Sequence, residues 1–130
     1  MNTNTIIKNN KHYDKISDII DSLTINPSPD SVAVLDEIGT NSSIDEIREM
    51  TARALVKRNT PESLSVVITR NGKGINDMST VVAMSTINSL LSLEDKQEAM
   101  RVLEGAISSE EFCDEVKENA RSVKALMALS

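Results

Sequence analysis

Two kinds of punctuation recur along the chain at nearly one interval, and this recurrence limits the fold more than any single motif. "SPDS" (Ser28-Pro29-Asp30-Ser31) and "TPES" (Thr60-Pro61-Glu62-Ser63) share one grammar. A hydroxyl residue accepts from the free N–H groups of a helix's first turn, proline follows where its missing N–H costs nothing, and an acid sits near the positive end of the dipole. "SLED" (Ser92 to Asp95) keeps the hydroxyl and the acids without the proline. These expected caps, Ser28, Thr60 and Ser92, are 32 residues apart, and the glycines Gly39, Gly72 and Gly105 are 33 apart. Glycine just past a helix adopts the left-handed conformation of a C-cap without steric cost. Each glycine is therefore expected to close a helix of about three turns begun at one of the caps.

After each glycine a second, longer helix is expected. The apolar spacing predicts Ile44 to Lys57, then Asn76 to Leu91, then Glu110 to Leu129. Ser42–Asp45 and Ser108–Glu111 have the spacing of capping boxes. Ahead of the first pair, Tyr13, Ile16, Ile19, Ile20 and Leu23 mark a leading amphipathic helix, and the polar residues 1–10 are expected to be flexible. "SVVIT" (Ser65 to Thr69) favours strand locally, but its place in the register assigns it to a helix. The expectation is one domain over residues 11–130, with hairpins at about 28–58, 60–91 and 92–129.

A run of 130 residues is long enough for a core without staples. Cys113 is the only cysteine, so no internal disulfide can form; with no apolar run of membrane-spanning length and no signal-like start, a cytoplasmic location is expected. Tyr13 and Phe112 are the only aromatics, so the core must be aliphatic, which suits close helix packing. The net charge of −6 and the missing aromatics argue against nucleic-acid binding, by phosphate neutralisation or by base stacking.

A helical hairpin at this period resembles the HEAT-like and armadillo-like repeat families. The match is clearest in "DEIREMTARALVKRNTPESLSVVI" (Asp45 to Ile68), with Asp45, the Ile47-Arg48 pair, Ala52 and Ala54-Leu55, and the "NTPE" turn. "DEVKENARSVKAL" (Asp114 to Leu126) repeats it with Lys117 for the arginine. The middle copy departs from it, with Asn76 for the aspartate and Ser79 for the arginine. The resemblance implies an all-α fold: a short right-handed α-solenoid of three HEAT-like hairpins with a leading cap helix. The alternative is a compact six- to seven-helix bundle. Function is not implied, because such folds serve adaptors, inhibitors, lyase chaperones and some DNA-repair enzymes.

No catalytic, cofactor or metal site is expected. "RNGKGI" (Arg70 to Ile75) lacks the GxxxxGK[ST] spacing and the preceding strand of a phosphate loop. His12 has no second histidine with which to share a metal. Cys113 lies among Glu110, Glu111, Asp114 and Glu115, which oppose a lowered thiol pKa. What remains is charge: an acidic cluster of Glu110, Glu111, Asp114, Glu115 and Glu118, and basic residues Arg48, Arg53, Lys57 and Arg58. Either group suits a solvated helix face or a docking surface for a protein partner, and their opposite signs would suit head-to-tail self-association into a homo-oligomer. The expected function is a non-catalytic protein–protein interaction module or adaptor, with no nucleic acid, membrane or small-molecule substrate. The alternative is a structural or assembly subunit of a larger complex, of phage or virus type. A helical-repeat DNA glycosylase fits neither the charge nor the aromatic content.

Overall fold

A computed structural model of the chain describes residues 15–69, 74–75 and 78–130. The regular structure in them is helical: α1 (15–25), α2 (Asp30–Asn41), α3 (Asp45–Arg58), α4 (Pro61–Thr69), α5 (Thr80–Leu91), α6 (Gln97–Ser108) and α7 (Asp114–Leu129). No strand occurs among the described residues, and "SVVIT" is helical within α4. Residues 1–10, His12, Tyr13, Arg70 to Lys73 (with Gly72) and Asn76 lie outside the described residues.

Two of the three expected starts do their chemistry. The Ser28 hydroxyl accepts from the N–H of Asp30 at 3.3 Å as the chain enters α2. At α4 the Thr60 hydroxyl accepts from the N–H of Ser63 while the Ser63 hydroxyl accepts from the N–H of Thr60, both at 3.2 Å. This is a capping box in which serine replaces the usual glutamate. The third start is corrected. Ser92 ends α5, its hydroxyl donating to the carbonyl of Asn88 at 2.8 Å, and Asp95 takes over by accepting from the N–H of Gln97 at 3.0 Å. The boxes expected at Ser42 and Ser108 are replaced by tight turns: Ser42 accepts from Ile44 and Ser109 accepts from Glu111, both at 3.1 Å. The last helix therefore begins at Asp114 rather than Glu110, with residues 110–112 in turns.

The glycine expectation is also corrected. Gly39 lies inside α2 and Gly105 inside α6, each before its helix ends. Among the described residues the left-handed positions belong to Asn59 (φ 52°), which ends α3, and to Gly74 (φ 76°), whose N–H donates to the carbonyl of Thr69 at the end of α4. The cost of glycine within a helix is only about 1 kcal/mol, which packing overrides.

The packing follows two series. α2 lies against α4 and α4 against α6; α3 lies against α5 and α5 against α7. α2 also pairs with α3, α3 with α4, and α6 with α7, while α4 and α5 are not a principal packing pair. Leu35, Leu55, Leu64, Val67, Leu90 and Leu103 sit fully buried where the helices meet, one aliphatic cluster running from Ile20 of α1 to Met127 of α7. Hydroxyls enter this core because each has a local acceptor: Thr51 donates to Arg48 and Thr86 to Val82, at 2.9 and 2.8 Å.

Candidate protein-interaction surface

The N-terminal ends of α3 and α5 are held level by one bond. The Ser79 hydroxyl donates to Oδ1 of Asp45 at 3.1 Å and also accepts from the N–H of Val82, capping α5. Ser79 lies just before α5, the position that Ile44 holds before α3, whereas Arg48 lies within α3. From that level α3 and α5 run side by side, and a shallow groove of about 560 Å3 lies between them. Its walls are Glu49 and Arg53 of α3 and Val81, Met84, Ser85 and Asn88 of α5.

The groove carries exposed apolar area. α5 buries Val82, Ala83, Thr86 and Leu90, which turns Val81 and Met84 outward, 57% and 60% exposed. Burying one such side chain is worth about 1.5–3 kcal/mol. A second groove lies between α1 and α3, lined in part by Ile20, Asp21, Met50, Arg53 and Lys57. Arg53 therefore stands on the ridge between the two grooves.

The expected site residues divide by what they touch. Arg53 and Lys57 are exposed, one turn apart on α3. Arg48 is half-buried, and its Nε donates to the carbonyl of Ser42 at 2.6 Å, bracing the turn before α3. Arg58 is also turned inward: its guanidinium donates to the carbonyls of Leu23 (2.8 Å), Thr24 (3.5 Å), Asn26 and Ser28 (3.4 Å). It thus caps the C-terminal end of α1, whose last carbonyls have no partner within the helix.

Glu110, Glu111, Asp114, Glu115 and Glu118 are all exposed. Asp114 and Glu115 sit in the first turn of α7, where acids favour the dipole. Glu118 pairs with Arg121 at 2.9 Å on an open face, an arrangement worth little. Cys113 is exposed at the N-cap of the same helix. Further along α7, Leu126 and Leu129 are 45% and 86% exposed.

Val81 and Met84 are absent from the expected set. The signal available for them was the uncharged stretch Met78 to Leu93, which fits a helix buried on all sides equally well. No described helix is long and apolar enough to cross a membrane. Comparison with known proteins finds no matching family model, no similar curated protein and no similar solved structure.

Proposed function

We propose that this chain is a non-catalytic protein-interaction module that holds a helix of a protein partner in the groove between α3 and α5. The observation that carries this reading is Val81 and Met84, exposed side by side in a concave strip whose opposite wall ends in the cation Arg53. An amphipathic helix laid in such a strip buries an apolar stripe and sets its charges on the rim, the usual way a groove recognises a helix. Recognition here needs only a rigid surface and involves no bond chemistry, nucleic acid, membrane or small-molecule substrate; we place it in the cytoplasm.

We read the architecture as a short right-handed α-solenoid of HEAT-like type, with α1 as its leading cap. Support comes from the two series α2–α4–α6 and α3–α5–α7, in which corresponding helices of successive hairpins lie against each other. A second reading, a structural or assembly subunit, draws on Leu126 and Leu129, two exposed leucines near the C-terminal end of the last helix.

The test is affinity capture from the native host with wild type, Met84→Glu and Arg53→Glu. Each variant is expected to lose a partner that wild type captures, with an unchanged thermal midpoint. Identical captures by all three proteins would overturn the assignment.

A further inference from the structure

We infer that copies of this chain associate head to tail, the open face of α7 lying parallel on the open face of α1 of the next copy. This rests on the second reading above, an assembly subunit, and does not involve the α3–α5 groove.

α1 and α7 are the first and last members of one row of helices. α1 lies beside α3, and α5 lies between α3 and α7. Each end helix turns its apolar side to the core. α1 buries Ile20, with Ile16 and Leu23 packed against the same cluster, and α7 buries Val116, Ala120, Val123 and Met127. The opposite side of α1 carries Lys15, Asp18, Ser22 and Ile25, and that of α7 carries Glu118, Arg121, Ala125 and Leu129, all exposed. At 100° per residue each set falls in one stripe about 80° wide.

The two stripes agree position by position. With a rise of about 1.5 Å per residue, Asp18, Ser22 and Ile25 lie about 4.5, 10.5 and 15 Å beyond Lys15. Arg121, Ala125 and Leu129 lie about 4.5, 10.5 and 16.5 Å beyond Glu118. Laid parallel with Lys15 against Glu118, the helices bring Asp18 to Arg121, Ser22 to Ala125 and Ile25 to Leu129. Opposite charges meet at one end, small side chains in the middle and large apolar side chains at the other end. Ile25 and Leu129, 82% and 86% exposed, are the most exposed large hydrophobics among the described residues, and one contact would cover both. Glu118 and Arg121 already pair at 2.9 Å on α7. α1 has the same spacing with the signs reversed, base before acid, so the four charges alternate around a ring. A network of this kind holds better than an isolated surface pair.

The direction is selected twice. Reversing α7 over the same length sets Leu129 on Lys15 and Glu118 on Ile25, an apolar side chain against a charge at either end. The parallel direction is also the one the row already uses. The Ser79–Asp45 bond joins the N-terminal ends of α3 and α5, and Arg58 at the end of α3 holds the last carbonyls of α1. The stripes are different patches of one molecule, so the contact is heterologous and grows into a ring or an open row.

The experiment is analytical ultracentrifugation of the full chain from about 5 to about 500 micromolar, in low and in high salt, because a contact of one helix pair is small and associates weakly. Mass is expected to rise with concentration, and less so in high salt. Asp18→Arg and Arg121→Asp should each weaken association by about tenfold, and the double variant, with its signs exchanged, should recover it. Ile25→Cys and Leu129→Cys, in separate differently tagged copies carrying Cys113→Ser, should form a mixed disulfide on oxidation. Val81→Cys in place of Ile25→Cys should not.

A chain that stays monomeric throughout overturns the inference together with self-assembly. Association that ignores both charge changes and yields no mixed disulfide overturns this contact alone and leaves assembly to another surface.

Discussion

Arg58→Ala would remove a side chain that ties the end of α1 to α3. The guanidinium makes two close bonds, to the carbonyls of Leu23 and Asn26, and two contacts of 3.4 to 3.5 Å that are too long to contribute much. Hydrogen bonds to a charged group are worth about 1.5–3 kcal/mol each when buried, and the cation gains about 0.3–1 kcal/mol from the helix dipole. Against this, Nε of Arg58 is buried without an acceptor, and its removal returns about 1 kcal/mol. With the residue only half-buried, the net loss is about 2–3 kcal/mol. At about 2.1 cal/mol/K of unfolding entropy per residue, the midpoint should fall by about 7–11 °C. Hydrogen exchange should quicken most in residues 20–26. Arg58→Lys should recover part of the loss, since an ammonium keeps the charge without the planar fork. A midpoint within about 2 °C of wild type, or faster exchange spread evenly over the molecule, would refute this account of Arg58.

Two glycine substitutions should act in opposite directions on thermal melting. A Cβ at Gly105 meets nothing within 4 Å, so Gly105→Ala should raise the midpoint by about 2–4 °C through helix propensity. Gly74→Ala imposes a side chain at φ 76° and 3.4 Å from Cγ2 of Val116, and should cost about 1–2 kcal/mol. Ser79→Ala removes both the cap of α5 and the link to Asp45, and should cost about 0.5–2 kcal/mol in denaturant titrations with an unchanged m-value. Leu64→Ala opens a cavity at a fully buried position and should cost about 2–5 kcal/mol by the same measurement.

The helices were legible where chemistry left one option. A hydroxyl followed by proline, at Ser28-Pro29 and Thr60-Pro61, does begin a helix, because proline's fixed φ and missing N–H suit that position. Ser92 carried the same hydroxyl without proline and was free to donate to Asn88 instead, ending a helix where one was expected to start. The evenly spaced glycines misled because α2 and α6 run past Gly39 and Gly105 and end in extended residues, Ser42 and Ser109, which need no left-handed C-cap. At the surface, Glu110, Glu111, Asp114, Glu115 and Glu118 are all exposed, the first two in the turn before α7. Arg58 was not separable from Arg53 and Lys57 by sequence, since its work depends on a carbonyl 35 residues away. Val81 and Met84 resemble core residues until α5 turns its Val82–Leu90 face inward.

The groove between α3 and α5 is tested most directly by a photo-activated cross-linker placed at Met84, with a second position at Glu62, exposed on α4, as the reference. One discrete protein adduct is expected from position 84, mapping to an amphipathic helix of the bound partner, and none in common with position 62. No adduct from position 84, or the same diffuse set from both positions, would contradict it.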